Sequence, residues 1–266
     1  MPGSDRAALL APLEAVMREA GEMARATARG PFKRWTKGDD NSPVSEGDIA
    51  VNDLLQRRLP ALVPGAGWLS EETEALPDGT LALAWVVDPI DGTRAYITGR
   101  ADWTISVALV ENARPVLAAL YAPATDEMFL AARGHGVALN GAAIAVNAGA
   151  NLDGAKFAGP KRYLDKLTGI NPRIRAEPKV FSLALRFARV AFGSLDAALA
   201  SPGSRDWDLA AADLLVHEAG GLFTDFVGQP LRYDVPHAAQ GALLAAGSAR
   251  HGAVLDLVRA RSGEFA

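Results

Sequence analysis

Residues 85–93 read WVVDPIDGT, an apolar run that ends in two aspartates three positions apart. If Asp88 and Asp91 lie together at the end of a strand, their charges repel unless a cation lies between them. Pro89 fixes the turn and biases Asp88 toward extended backbone. The carbonyl of Ile90 is then free to point the same way as the two carboxylates. The stretch therefore predicts a cation site lined by oxygen atoms.

Two further acidic positions fit the same site. Glu71, with Glu72 beside it, follows the short apolar run WLS, and Asp208 begins the stretch DLAAADLLV. The chain has no cysteine, which excludes thiolate ligands, so the oxygen donors favour Mg²⁺ before Zn²⁺. Each aspartate taken alone also has an ordinary alternative, because Asp88 and Asp91 can organise a turn and Asp208 can cap a helix.

Gly92 and Thr93 follow the second aspartate where a helix is expected to begin, and backbone N–H groups at a helix N-terminus suit a phosphate. Two close metal ions can clamp the attacking and leaving oxygens of a phosphate ester. Some phosphatases write Asp-x-Asp-Gly-Thr and use the first aspartate as a covalent nucleophile. Here Pro89 stands two positions before Asp91, which argues against that mechanism. The motif predicts ester hydrolysis by metal-activated water.

The composition of the whole chain is that of an ordinary globular protein, with 266 residues, 49% hydrophobic and 22% charged. A net charge of -4 gives no overall basic field, so no nucleic acid polymer is expected as a partner. Acidic residues interrupt the first thirty positions, which therefore do not resemble a signal peptide. No apolar run reaches the roughly 18 residues that a membrane span needs. We expect a cytoplasmic protein without membrane contact.

Hydrophobic periodicity predicts a mixture of helices and strands. Helices are predicted at 5–29, 46–59, 181–193, 207–221 and at the end of the chain, and strands at 68–72, 81–88, 104–111, 115–123, 127–132 and 195–201. Ser45 is placed to cap the second helix, and Asn140-Gly141 to turn a hairpin. We expect two lobes in one compact unit. Residues 1–150 carry most metal ligands, and residues 151–266 carry Asp208 and the residues that recognise substrate.

Four motifs, in order and at plausible separations, resemble the inositol monophosphatase superfamily. They are DPIDGT at 88–93, WDLAAADLLVHEAGG at 207–221, SEE at 70–72 and the spacing from Lys37 to Asp48. The resemblance spans about residues 5–260. It implies an α/β mixed (α+β) fold, layered as an α-β-α-β-α sandwich. It also implies a Mg²⁺-dependent phosphatase that is usually a homodimer and often sensitive to lithium.

The same resemblance implies a set of metal ligands for two or three Mg²⁺ ions. The first ion would be held by Glu71, Asp88 and the Ile90 carbonyl, and the second by Asp88, Asp91 and Asp208. Glu71 would also help to hold a weaker third ion.

The implied catalytic residues are Asp48, Thr93 and Glu71, and Asp48 would hydrogen-bond Thr93 so that the pair orients and deprotonates the attacking water. The implied substrate-binding residues are Gly92, Thr93, Arg205 and Asp208, with the amides of Gly92 and Thr93 receiving the phosphate. Lys37 lies in a mobile loop that closes over the metals, or is a solvated charge.

The ester itself is less well defined. Residues 199–208, LASPGSRDWD, lack the glutamate that inositol-specific members carry shortly before the WD motif. Arg94 and Tyr96 match the bisphosphate-nucleotidase branch, which removes the 3′-phosphate of 3′-phosphoadenosine 5′-phosphate. Arg205 is a candidate for a second phosphate, or else forms an ion pair with Asp206. Weaker candidates are Lys161, Arg162 and Lys179.

Three alternatives stay open beside the nucleotidase. One is inositol-1-monophosphatase. Another is histidinol-phosphate phosphatase, whose second motif usually has Tyr-Asp where this chain has Trp207-Asp208. The last is a non-catalytic protein that binds a metal or a phosphate ligand, although metal binding alone does not need the pair Asp48 and Thr93. In each case the expected partner is a small molecule.

Overall fold

The structure, a computed structural model, describes residues 6–37, 42–73, 82–233 and 239–265. The helices are α1 (Leu10–Ala28), α2 (Glu46–Arg58), α3 (Thr93–Ile97), α4 (Lys161–Ile170), α5 (Leu183–Ala191), α6 (Asp206–Glu218), α7 (Ser248–Arg259) and α8 (Ser262–Phe265). The strands are β1 (Arg34–Lys37), β2 (Ser42–Ser45), β3 (Gly67–Ser70), β4 (Leu83–Asp91), β5 (Thr104–Glu111), β6 (Arg114–Ala122), β7 (Glu127–Ala132), β8 (Val137–Leu139), β9 (Ala142–Ala143), β10 (Lys156–Ala158), β11 (Arg175–Ala176), β12 (Ala197–Ala200), β13 (Gly221–Asp225) and β14 (Leu243–Gly247). Short 3₁₀ turns lie at Arg6–Leu9 and Leu59–Ala61.

The first large sheet has seven strands in the order β3-β4-β5-β6-β7-β8-β9. Strand β3 is parallel to β4, and every other neighbouring pair is antiparallel. Its side chains alternate between two faces, as the two-residue period of a strand requires. Trp85 and Val87 join the cluster that α1 and α2 cover, whereas Val86 joins the cluster that contains α5 and α6.

The second sheet has five strands in the order β11-β10-β12-β14-β13. One face, with Ala198 and Ala245, packs on α5 and α6, and the other, with Leu199 and Leu244, packs on α4 and α7. The layers therefore run helix, sheet, helix, sheet, helix, which confirms the expected α-β-α-β-α sandwich. The second half of the chain supplies the central helices, so both sheets share one core.

Helix α1 buries one stripe at helical spacing, Leu13, Val16, Met17, Ala20 and Ala24, which confirms the amphipathic helix at the start of the chain. Its partner α2 begins after Ser45, which accepts a hydrogen bond from the Gly47 amide in a capping box completed by Asp48. Among the residues described, no helix is both long and apolar enough to span a membrane.

Strand β4 ends later than predicted, and its end carries two of the predicted metal ligands. The periodicity ends this strand at Asp88, but β4 continues to Asp91 and pairs with β5 through a register shift between Asp88 and Asp91. Pro89 lies inside this irregular stretch, where a missing N–H does least harm. The predicted starts at residues 5 and 81 lie outside the described residues.

Candidate metal and phosphate site

Three aspartates converge where β4 meets the start of α6. One carboxylate oxygen each from Asp88, Asp91 and Asp208 lies within 4.8 Å of the other two. Asp88 is 1% exposed and Asp91 6%, while Asp208 is half-buried at the third position of α6. The structure thus brings Asp208 together with Asp88 and Asp91, although residue 208 is far from them in the chain.

Burial raises the pKa of all three carboxyl groups, and their mutual repulsion adds to the effect for Asp88 and Asp208. The pKa values of Asp88 and Asp208 lie well above the ordinary range of an aspartate. Three ionised carboxylates this close destabilise one another unless positive charge lies among them. The donor set is all oxygen, which fits a hard divalent cation such as Mg²⁺.

Glu71 faces the same cluster from the end of β3, but its carboxylate is outside the group of three within 4.8 Å. Its amide donates to the Val87 carbonyl at 3.1 Å, which holds it beside β4. Burial raises the pKa of Glu71 to about 7, although Lys37 opposes the rise. Repulsion from Glu71 in turn raises the pKa of Asp88. Glu71 therefore interacts electrostatically with the aspartates, but its carboxylate does not lie within 4.8 Å of all three.

Lys37 supplies positive charge at the edge of this cluster. Its Nζ lies 3.2 Å from Glu71 Oε1 and 2.6 Å from Glu72 Oε1, and it also donates to the Glu71 carbonyl at 3.1 Å. The Glu72 side chain is only 5% exposed, so it faces the lysine and not solvent. Burial lowers the pKa of Lys37, but the two glutamates outweigh it and the pKa is raised. Lys37 is thus an ion-paired residue of the site.

Asp48 and Thr93 form the predicted pair. Thr93 Oγ1 lies 3.2 Å from Asp48 Oδ1 and 3.1 Å from the Ile90 carbonyl, so its single proton can go to either. Asp48 Oδ2 is held by the amide and hydroxyl of Ser45, at 2.8 and 2.6 Å. Burial raises the pKa of Asp48 to about 6, against the lowering effect of Ser45.

Gly92 joins the acidic strand end to α3 in a left-handed conformation, with φ of 92°. A Cβ atom there would lie 3.1 Å from the Ser182 amide nitrogen and 3.2 Å from the Asp102 carbonyl, so both conformation and space require glycine. Helix α3 begins at Thr93, and N–H groups in a first helical turn have no carbonyl partner within the helix. This is the arrangement that the sequence predicted for the phosphate.

Asp91 has a second set of contacts that the sequence did not reveal. Its Oδ2 accepts hydrogen bonds from Ser182 Oγ at 2.6 Å and the Ala184 amide at 2.7 Å, and its Oδ1 accepts one from the Leu183 amide at 3.1 Å. Asp91 therefore binds the N-terminus of α5. A serine directly before the apolar run LALRFARV was the available signal for this helix cap, but nothing in the sequence placed it beside residue 91.

A cleft of about 870 Å³ is lined by Lys161, Lys179, Arg186, Ser201 and other residues of the second half of the chain. Arg186 is 9% exposed and donates to the carbonyls of Leu199 and Val180. Its Nε has no hydrogen-bond partner among the described residues. Burial lowers the pKa of Arg186 and the carboxylate of Asp91 opposes that. Leu183, whose amide donates to Asp91, also lines the cleft, so the cleft and the acidic cluster are neighbours.

Two of the residues used to argue for a nucleotidase, Tyr96 and Arg205, do not line this cleft. Tyr96 is 3% exposed, donates to the Ala24 carbonyl at 2.7 Å and packs on Trp103, so it belongs to the core. Arg205 is exposed at the N-cap of α6, where its amide donates to Asp208 Oδ2 at 2.7 Å. Residues 200–204 line the cleft, whereas Arg205 does not.

Comparison with known proteins finds similar proteins along most of the chain. The model of the inositol monophosphatase family matches residues 5–262. Inositol monophosphatase 2 of Solanum lycopersicum is 35% identical over 196 residues, which cover 68% of this chain and 74% of that protein. The 3′(2′),5′-bisphosphate nucleotidase CysQ of Aggregatibacter actinomycetemcomitans is 28% identical over 247 residues, or 85% and 87% of the two chains. The solved structure of an IMPase from Thermotoga maritima superposes with a TM-score of 0.82 at 25% identity, covering 95% of this chain and 97% of that one.

Proposed function

The chain belongs to the inositol monophosphatase family, a family of phosphoric monoester hydrolases, and on that premise we propose that it is a Mg²⁺-dependent 3′(2′),5′-bisphosphate nucleotidase. The observation that carries the choice of substrate is the basic cleft beside the acidic cluster. A substrate with two phosphates needs one site for the phosphate that is removed and a second, cationic site for the phosphate that stays.

The acidic cluster is the proposed site of two or three Mg²⁺ ions. Asp88, Asp91 and Asp208 would hold one ion, and Glu71 with Asp88 and the Ile90 carbonyl another. The close approach of buried carboxylates, which costs free energy without a cation, supports this assignment. When bound, the ions supply charge neutralisation for the phosphate and lower the pKa of the attacking water.

Thr93 and Asp48 are proposed to place that water and to take its proton. The Thr93 hydroxyl lies between the Ile90 carbonyl and Asp48, at the start of α3. A raised pKa, about 6 for Asp48, suits a group that must accept a proton near neutral pH. The amides of Gly92 and Thr93 are proposed to receive the phosphate that is removed.

The second phosphate is proposed to bind in the cleft. Its basic lining residues are Lys161, Lys179 and Arg186, against the acidic Asp165 and Glu177. Asp165 is already paired with Lys161 at 2.5 Å. Arg162 stacks on Tyr163 and does not line the cleft. Lys161 and Lys179 are therefore stronger candidates than Arg162, and Arg205 keeps a role at the mouth of the site beside Asp208.

The direct test is phosphate release from 3′-phosphoadenosine 5′-phosphate, inositol 1-phosphate and histidinol phosphate, with Mg²⁺ and with EDTA. We expect Mg²⁺-dependent turnover, with the highest kcat/KM on the bisphosphate. A higher kcat/KM on inositol 1-phosphate would contradict the nucleotidase assignment and favour an inositol monophosphatase. The similarity to the tomato inositol monophosphatase supports that alternative. Metal binding without turnover of any ester would support the non-catalytic alternative.

Variants at the cleft test the second phosphate. Lys161→Ala removes an exposed lysine and should raise KM for the bisphosphate several-fold while leaving inositol 1-phosphate unchanged. Arg205 lies beside Asp208 and outside the cleft lining, so Arg205→Ala should have a smaller effect in the same direction. Lys156→Ala is the matched control, because Lys156 is exposed in the same half of the chain but does not line the cleft. Equal loss on both esters would remove Lys161 and Arg205 from recognition of a second phosphate.

Two family properties extend the proposal. We expect a homodimer, measured by light scattering of the purified protein, and inhibition of turnover by Li⁺ at millimolar concentration. If the protein is a monomer at all concentrations used in the assay, the expected homodimer is wrong. If it keeps full activity in Li⁺, the expected inhibition by lithium is wrong.

A further inference from the structure

A second groove, of about 800 Å³, lies between the β1–β2 ribbon and helix α3. Its lining includes Arg34, Trp35, Arg94, Ile97 and Phe181; we call it the Trp35 groove. Trp35 is 43% exposed, which is unusual for the side chain that has the most apolar area to bury. A solvent-facing tryptophan in a groove indicates a surface that a ligand covers.

Two exposed arginines stand in the lining of the Trp35 groove. Arg34 and Arg94 are both exposed, and in the described residues neither guanidinium has an ion pair or a side-chain hydrogen bond. Two uncompensated cations that line the same groove as an exposed indole, in a chain of net charge -4, favour a ligand that is both aromatic and anionic.

The Trp35 groove is continuous with the site already described. Arg94 directly follows Thr93, and Phe181 directly precedes Ser182, whose hydroxyl donates to Asp91 at 2.6 Å. Phe181 also lines the basic cleft, so the groove and the cleft share one wall. A ligand whose phosphate lies at Gly92 and Thr93 can therefore extend into the groove without leaving the protein surface.

Within the groove, Trp35 is the ring that is available for stacking. Phe181 already packs against Arg100 and Lys179, whose charged atoms lie 4.7 and 4.5 Å from its ring centroid. Trp35 has no ring or cation contact with any described residue. A planar group that enters the groove can therefore stack on the indole of Trp35.

We infer that the Trp35 groove binds the nucleobase of a nucleotide substrate, with Trp35 as the stacking residue and with Arg34 and Arg94 attracting the negatively charged nucleotide, while its two phosphates keep the sites proposed above. The inference rests on the proposed phosphatase function and makes it more specific, because it assigns the non-reacting aromatic end of the substrate to a surface that chemistry at the metal site does not require. Stacking of a base on an aromatic side chain is tolerant of base identity, so adenine and guanine nucleotides should bind alike.

Steady-state kinetics test the inference on two esters. For Trp35→Ala we expect KM for 3′-phosphoadenosine 5′-phosphate to rise about tenfold, the size expected when one base–aromatic stack is lost, with kcat nearly unchanged. Inositol 1-phosphate has no base, and its kinetics should not change. Trp35→Phe keeps an aromatic ring and should restore most of the affinity. An unchanged KM for the bisphosphate in Trp35→Ala, or an equal rise on both esters, would overturn the assignment.

A binding measurement keeps this result separate from the proposed function. Adenosine 5′-monophosphate and ribose 5-phosphate differ only by the base, and calorimetry can compare them on the wild-type protein and on Trp35→Ala. We expect the wild type to bind the nucleotide about tenfold more tightly than the sugar phosphate, and the variant to lose that preference. If the wild type hydrolyses neither 3′-phosphoadenosine 5′-phosphate nor inositol 1-phosphate but still binds the nucleotide more tightly than the sugar phosphate, the proposed phosphatase function is wrong. The assignment of the nucleobase to the Trp35 groove is then still supported. If the wild type has no preference, the groove assignment is wrong.

Discussion

Asp48 divides its two carboxylate oxygens between two tasks. One oxygen is held by the amide and hydroxyl of Ser45, and the other accepts the hydroxyl of Thr93. The first task belongs to the start of α2 and the second to the chemistry proposed at the end of β4. A residue that caps a helix is held rigidly, so the oxygen that faces Thr93 is held in position by the same bonds that fix the helix.

At this scale the first prediction concerns the hydroxyl of Thr93. Thr93→Val keeps the shape of the side chain and removes its donor, so we expect kcat to fall by about 10²–10³ with little change in Tm. Thr93→Ser keeps the hydroxyl and should retain at least a tenth of the activity. Phosphate release and thermal unfolding measured on both variants test this. Near-wild-type turnover by Thr93→Val would show that the Thr93 hydroxyl does not position the attacking water.

The residues that could be predicted from sequence were those that stand in a local motif. Asp88, Asp91 and Asp208 each belong to a short motif, and the structure brings their oxygens together. Ser182 and Arg186 were missed because their importance comes from α5 lying against the end of β4, a contact between segments about 90 residues apart. No spacing rule reports such a contact.

At the scale of elements, Asp91 ties the end of β4 to the beginning of α5. Three donors from residues 182–184 converge on its carboxylate. Negative charge at a helix N-terminus is favourable, and here the charge comes from another element and not from the helix itself. The same carboxylate is therefore a proposed metal ligand and a structural link between the seven-stranded sheet and the central helical layer.

This double role predicts different results for two equivalent substitutions. Asp91→Asn places an amide N–H against the Leu183 amide or its neighbours, and an unsatisfied buried donor costs about 1–3 kcal/mol. We expect Tm to fall by about 3–8 °C and activity to be lost. Asp208→Asn should lose activity equally but keep Tm within about 2 °C, because an asparagine oxygen can still accept from the Arg205 amide. Equal destabilisation of both variants would contradict the structural role of Asp91.

Helix α6 carries a second acidic group nearer its C-terminal end. The buried Asp213 accepts a hydrogen bond from the Tyr233 hydroxyl at 3.0 Å, and its other oxygen lies 2.8 Å from His217 Nδ1. The hydrogen bond and charge of Asp213 raise the pKa of His217 above its ordinary value, against burial and the charge of Arg114. The folded protein therefore favours the protonated imidazole.

A pH dependence of stability follows from that raised pKa. The contribution of His217 is fully present below its unfolded pKa of about 6.5 and is lost as pH rises through the higher folded value. Because the imidazole is partly exposed, we expect a small effect, a Tm difference of about 1–3 °C between wild type and His217→Gln at pH 6. That difference should shrink at pH 8.5. A difference that stays constant between the two pH values would mean that the charge of His217 contributes nothing.

The elements themselves divide by length into those that periodicity could predict and those that it could not. Strands β5, β6 and β7 and helices α2 and α6 lie within one or two residues of their predicted bounds, or three for the end of α6, because each is a long run with a clear period. The two-residue strand β11 and the three-residue β10 lie in the stretch that carried only short runs with Gly and Pro. Strand β10 pairs with both β11 and β12. This pairing, and not a local sequence pattern, keeps the two short strands extended.

At the scale of the whole molecule, the site lies where the seven-stranded sheet meets the central helices. The seven-stranded sheet provides Asp88 and Asp91 from β4, and Glu71 at the end of β3. The central layer provides Asp208. Because the proposed ligands come from separate layers, a bound cation would add a further link to the hydrogen bonds that already join Asp91 to the start of α5. The family resemblance was enough to predict the layered fold. It did not predict that the second half of the chain supplies the central helices, which only the structure shows.

Divalent metal should therefore stabilise the entire fold. At about 100 times its Kd, a ligand that binds only the folded state adds about 2.7 kcal/mol. We expect saturating Mg²⁺ to raise Tm by about 5–10 °C over EDTA, and NaCl at equal ionic strength to have much less effect. In Asp88→Asn the shift should shrink to less than half. A Tm that does not respond to Mg²⁺ in the wild type would contradict a metal site among these carboxylates.

The ion pairs of Lys37 with Glu71 and Glu72 have a consequence for the charge that a bound ion must supply. An ammonium group attached to the chain already offsets part of the negative charge at the rim of the acidic cluster. The positive charge that a divalent ion would have to supply at this rim is smaller by the part that Lys37 already provides.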